Sequence, residues 1–149
     1  IRHAVAGYVP DNNRSQRTET TRNTLIIDCY NANPLSMRLV IESFLAEPLG
    51  KRQRRVLILG DMLELGEWSA HEHTAIIRQA AQAPDAELLL VGGEFANAYA
   101  SLPEKPARTT LCPTRDELLS LLELSPVENA LVLLKGSRGI GLEKAIPEL

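Results

Sequence analysis

The chain has 149 residues, with 16 Lys and Arg against 19 Asp and Glu for a net charge of −3; 44% of residues are hydrophobic and 23% charged. That length suits one domain with its own core. The slight acidic excess gives no reason to expect a nucleic-acid partner, and no apolar run nears the ~20 residues that span a bilayer. Cys29 and Cys112 lack metal-ligand spacing and sit beside apolar runs, so a reducing compartment is expected rather than a disulfide framework.

The chain opens at Ile1 without Met and continues into the polar stretch YVPDNNRSQ. Together these predict a piece of something longer, beginning with a linker over residues 1–14. RTETT and TLIIDCY flank Arg22-Asn23 and predict a short hairpin leading into a first core strand. In NPLSMRLVIESFLAE, Leu35, Leu39, Val40 and Phe44 recur at helical spacing, with Asn33 as N-cap and Pro34 at the first helical position. The basic run KRQRR at 51–55 reads as a solvated turn before the buried strand RVLILG. SAHEHTAIIRQAAQA predicts a helix opened by a Ser69–Glu72 capping box. Next come the strand AELLLVG, a short helix EFANAYASL, the strand RTTLC and a helix TRDELLSLLELS capped by Thr114. The strand NALVLLKGS follows, and LEKAIPEL begins a last helix.

Strands alternating with helices predict an α/β fold, with a mostly parallel sheet covered on both faces. The uninterrupted apolar runs at 56–59, 88–91 and 131–134 agree, because a strand buried on both sides need not alternate. In such sheets ligands bind beyond the carboxyl ends of the strands. The residues expected there are Asp28, Tyr30, Asn31 and Asn33; Gly60, Asp61, Met62 and Glu64; Gly92, Gly93 and Glu94; and Lys135, Gly136, Ser137, Arg138 and Gly139. Acids, amides, a Lys and an Arg thus converge on one edge. Familiar signatures are missing: the sequence holds no G-x-x-x-x-G-K-[ST] phosphate loop, no G-x-G-x-x-G after the first strand and no G-x-S-x-G elbow. His71 and His73, two apart on a helix, cannot share a face, so no metal site is expected.

DCYNANPLSM, LILGDMLELGEWSAHEH and LLKGSRGIGLEKAI, in this order, resemble the C-terminal domain of the Mur ligase family. Within it they resemble the branch that adds D-alanyl-D-alanine to UDP-MurNAc-tripeptide. The resemblance runs from about Tyr8 to Leu149. Asn13 stands where the family often has Gly, and Ile27 where some relatives carry a first acid. The resemblance implies a three-layer Rossmann-like domain with an N-terminal hairpin. It further implies a cytoplasmic, ATP- and Mg²⁺-dependent amide ligase whose N-terminal and central ATPase domains lie outside this chain, along with most of the Mg²⁺ ligands. It implies nucleotide contacts from Arg14, Asp28 and Asn31, and an acceptor site from Asn33, Asp61, Glu64, Lys135, Ser137 and Arg138. No catalytic residue is assigned. His73 matches a family position but also reads as a helix-surface residue, and Tyr30 as packing. Two alternatives stand beside this reading. One is a related ligase, such as a diamino-acid-adding enzyme or a folylpolyglutamate synthase. The other is a stand-alone Rossmann-like binding module.

Overall fold

A computed structural model describes residues 15–149. Arg14 and the linker expected over 1–14 lie outside the described residues. A six-stranded sheet runs in the order β1-β2-β6-β3-β4-β5. Its strands are β1 (Gln16–Glu19), β2 (Thr24–Asp28), β3 (Arg54–Gly60), β4 (Glu87–Val91), β5 (Thr109–Cys112) and β6 (Ala130–Lys135). β1 pairs antiparallel to β2, and every other pairing is parallel. The expected hairpin is therefore present. It closes through Thr20, whose Oγ1 accepts from the Arg22 and Asn23 amides.

Alternate residues of the central strands feed two cores, as a doubly covered sheet requires. One core joins Leu57, Leu59, Leu88, Leu90, Leu131 and Leu133 to α1 (Pro34–Ala46), α2 (Ser69–Ala80) and α3 (Gly93–Ser101). The other joins Val56, Ile58, Val132 and Leu134 to α4 (Arg115–Leu124) and the C-terminal segment. Both cysteines are free and buried; burial, foremost, pushes the Cys29 thiol up to about 12.

Four sequence expectations need correction. Leu35 and Leu39 are 58% and 57% exposed, and α1 buries Met37 and Ile41 beside the expected Phe44. Apolar residues occur around most of this helix, so spacing alone did not single out the inner stripe. Ser69 and Glu72 form no capping box: a 3-10 turn, Gly66–Trp68, runs straight into α2 and leaves Ser69 inside the helix. The basic run is not a solvated turn, because Arg52 reaches under the hairpin to Thr24 Oγ1, Glu19 and the Thr20 and Arg22 carbonyls. Arg54 pairs with Glu87, and Arg55 donates to the Phe44 carbonyl. Finally, Leu142–Glu148 is a 3-10 helix. Pro147 lacks an amide hydrogen and its ring clashes with an α-helical carbonyl four residues back, so the tighter winding prevails.

Candidate functional site

β2, β6, β3 and β4 end level with one another. Asp28 and Leu59 both register with Lys135, and Gly60 with Val91. Their connecting loops therefore leave from one edge. Lys135 is only 1% exposed. Its ammonium donates to the Asn31 carbonyl at 2.7 Å and lies 3.3 Å from Asp28 Oδ1. Asp28 Oδ2 accepts from Ser15 Oγ at 3.4 Å. The β2–α1 loop is thus bound to the end of β6. Asn33 closes that loop in a capping box: its Oδ1 accepts from the Ser36 amide at 2.8 Å, while Ser36 Oγ accepts from the Asn33 amide at 3.1 Å. Asn31 is exposed, and Lys135 holds its backbone carbonyl rather than its carboxamide.

Asp61 is buried and caps α3, its two oxygens accepting from the Glu94 and Phe95 amides at 3.0 and 2.9 Å. Burial raises the Asp61 carboxyl from its ordinary value, although these two bonds pull the other way. The contact requires Gly92, at φ +117°, where a Cβ would lie 2.3 Å from the Asp61 carboxylate. Ser137, 7% exposed, joins two loops: its amide donates to the Asp61 carbonyl at 3.1 Å and its Oγ accepts from the Leu63 amide at 3.0 Å. Gly136 permits that approach, since a Cβ there would come within 2.8 Å of Gly60 Cα.

His73 is fully buried at the same place. Its Nε2 accepts from the Met62 amide at 3.0 Å, which leaves the ring proton on Nδ1 to donate to the Ser69 carbonyl at 2.8 Å. The ring packs edge-on to Phe95 with centroids 4.5 Å apart. Ser69 Oγ donates to Glu94. The segment after β3 is therefore held at Asp61, Met62 and Leu63, and it presents Glu64 outward in a left-handed backbone conformation, φ +64°. Arg138 is exposed as well; its guanidinium stands 5.0 Å from the Tyr30 ring centroid and donates to the phenol oxygen at 3.3 Å. A concavity of about 300 Å³ opens beside the edge, between Gly92, Thr114, Arg115 and Ile140. Another of about 780 Å³ lies beyond the far ends of α2 and α3, around Arg78, Leu102 and Lys105. Its larger volume carries no functional weight, because none of the converging polar groups lines it.

Residues 13–138 match the sequence profile of the Mur ligase, glutamate ligase domain. The chain belongs to the Mur ligase family. It is 30% identical to the UDP-N-acetylmuramoyl-tripeptide–D-alanyl-D-alanine ligase of Rickettsia prowazekii, over 82% of this chain and 26% of that one. It is 32% identical to the Bacillus subtilis enzyme of the same name, over 85% of this chain and 28% of that one. The crystal structure of MurF from Acinetobacter baumannii superposes with a TM-score of 0.76 at 26% identity, covering 96% of this chain and 31% of that one. The chain thus spans less than a third of the length of these relatives.

In this Mur ligase domain, Asp28, Asn31, Asn33, Asp61, Glu64, Lys135, Ser137 and Arg138 all gather at one sheet edge. They divide by exposure. Asn31, Asn33, Glu64 and Arg138 face solvent, whereas Asp61, Lys135 and Ser137 are buried. His73 is not a helix-surface residue. It shares the inner stripe with Ile76, Ile77 and Ala80, and that i, i+3, i+4, i+7 spacing was visible in the sequence. Arg115 went unnoticed: it lines the smaller concavity, and its buried Nε has no partner among the described residues. Those residues hold no cluster of three or more His, Cys, Asp or Glu that could bind a metal. Nor is any helix among them long and apolar enough to cross a membrane.

Proposed function

We propose that this chain is the C-terminal domain of a cytoplasmic ATP-dependent ligase that adds D-alanyl-D-alanine to UDP-MurNAc-tripeptide during peptidoglycan precursor synthesis. The observation that carries the reading is the division of one sheet edge into two neighbouring groups. Asp28 ends β2 and Asn31 follows it, while Glu64 and Arg138 stand out from the loops after β3 and β6. The relatives bear the corresponding ligase name and are about three times longer, which leaves room for the N-terminal and central domains that complete such an enzyme.

In this reaction ATP transfers its γ-phosphoryl group to the tripeptide carboxylate, giving an acyl phosphate and ADP. The dipeptide amine attacks the acyl carbon, an amide forms, and phosphate and the amine's proton leave. The phosphate-binding loop and most of the Mg²⁺ ligands would belong to the central domain. Here Asp28 faces the nucleotide: a carboxylate accepts from ribose hydroxyls, Asn31 offers both donor and acceptor atoms, and the family resemblance adds Arg14 to the nucleotide contacts. On the acceptor side, Glu64 attracts the dipeptide ammonium and Arg138 binds its carboxylate through a planar fork. Asn33, Asp61, Lys135 and Ser137 hold those groups in place. Closing this domain over the others would keep water from the acyl phosphate.

In the full-length enzyme, Asp28→Ala should raise the KM for ATP by about ten- to a hundredfold, the worth of a lost charge-assisted hydrogen bond, with a smaller effect on the dipeptide. A rise confined to the dipeptide KM would move Asp28 to the acceptor site. The chain by itself should release no phosphate from ATP above the level of a Lys135→Ala control.

A further inference from the structure

We propose that Lys135 is a positioning residue that touches no substrate and clasps the nucleotide-facing loop after β2 to the turn that carries Arg138. The proposal rests on the assignment of Asp28 to the nucleotide. Lys135 was expected in the acceptor site, against the dipeptide carboxylate or the acyl phosphate, but its surroundings argue otherwise. The side chain is sealed within the sheet edge, 2% exposed against 14% for Asp28. Its ammonium meets the end of β2 and the loop beyond, at Asp28 Oδ1 and the Asn31 carbonyl, whereas the backbone beyond it turns toward β3 through Gly136 and Ser137.

A buried ammonium beside a mostly buried carboxylate fixes both groups, because either one left alone would be an uncompensated charge in a poorly solvated place. The Asn31 carbonyl gives a further anchor, so the clasp orients the backbone on both sides of Tyr30 as well as the Asp28 carboxylate. Tyr30 in turn carries Arg138 on its ring. The path from the nucleotide group to the acceptor group therefore runs through bonded atoms over its whole length: Asp28, Lys135, Asn31, Tyr30, Arg138. Asp28 keeps Oδ2 turned away from the ammonium, bonded only to the Ser15 hydroxyl among the described residues, and that oxygen remains open to an incoming hydroxyl.

The test is a double-mutant cycle in the full-length ligase, reading the KM for ATP with melting temperature recorded beside it. Lys135→Met keeps the stem's length and apolar contacts and removes the charge. In the otherwise native enzyme it should raise the ATP KM by about tenfold, the scale of a misplaced charge-assisted bond. In an Asp28→Asn background the same change should raise it by less than about twofold, because the group through which Lys135 acts is already disabled. Equal factors in the two backgrounds would show Lys135 acting on the ligand independently and would overturn the proposal. So would a native ATP KM in Lys135→Met, or a rise confined to the dipeptide KM. Should Lys135→Met fail to fold with Asp28 unpaired, the Asp28→Asn enzyme and the double variant still decide: matching ATP KM values support the clasp, and a further tenfold rise rejects it. An unchanged ATP KM in Asp28→Asn alone would instead remove Asp28 from the nucleotide site, and the clasp's role in catalysis with it; that failure is read from a variant in which Lys135 is intact.

Discussion

The two ends of the sheet are both rich in buried polar groups, yet they are built for different ends. Beneath the hairpin, Asn23 is wholly buried; its Nδ2 donates to the Val127 and Leu149 carbonyls and its Oδ1 accepts from the Ala130 amide. Thr20 and Arg52 likewise end their bonds on protein atoms. At the carboxyl edge, each buried group supports an exposed one: Ser137 stands behind Leu63 and Glu64, and Lys135 stands behind Asp28 and Asn31. A polar network closed on itself contributes stability. One that ends in oriented, solvent-facing groups can hold a ligand.

The sharpest way to break the comparison is Asn23→Ala. The Val127 carbonyl and the Ala130 amide lose their partner, at about 1–3 kcal/mol each, while the Leu149 carbonyl keeps its bond from Thr20, so the loss should total about 3 kcal/mol and lower the melting temperature by about 10 °C. Calorimetry measures this, and below the transition the KM values for ATP and dipeptide should be native; a changed KM would mean the hairpin end is not purely structural. At the other end, Arg138→Lys should raise the dipeptide KM by about tenfold, because an ammonium does not reproduce the guanidinium fork, and should leave the melting curve in place. Lower stability with native dipeptide kinetics would make Arg138 only a tie to Tyr30.

Smaller effects sharpen the contrast. Ser137→Ala leaves the Leu63 amide without its acceptor and should remove about 1 kcal/mol. It should also raise the dipeptide KM severalfold by loosening Glu64; a stability loss with native kinetics would detach that loop from acceptor binding. The smallest effect is a pH dependence. Burial raises the Asp61 carboxyl in the folded chain, so the folded state holds this proton more tightly than the unfolded one. Its contribution is fully present below the unfolded value of about 3.9 and is lost as pH rises through the folded value. The melting-temperature deficit of Asp61→Asn relative to the native chain should therefore shrink between pH 4 and pH 7. A deficit that widens would reverse the sign.

The sheet edge was legible because parallel strands carry long apolar runs and end where polar residues begin, as at Asp28, Gly60 and Lys135. The caps at Asn33 and Thr114 were legible for a local reason: each bonds an amide three residues on. What sequence did not reveal is which polar residues point inward. Lys135 at the end of β6 and Arg138 in the turn after it stand three positions apart, yet one is sealed and the other open. The difference arises from registering Lys135 opposite Asp28, a contact between residues more than a hundred positions apart. Ser69 misled for a related reason. The motif fitted a helix start, but the 3-10 turn before it had already begun the winding.

The strand order also has a consequence for how the polypeptide acquires its shape during synthesis. β6 lies between β2 and β3, so the first hairpin has no partner in the growing sheet until residues 130–135 have left the ribosome. Until then β2 offers an unpaired, apolar edge to whatever is nearby, the kind of surface that chaperones shield. The pairing spans a long stretch of chain and closes late, which favours slow folding. Because Lys135 and Ser137 arrive with that same strand, the binding edge is assembled in the step that completes the sheet, and a nascent chain stopped short of it would hold a sheet in two unpaired parts.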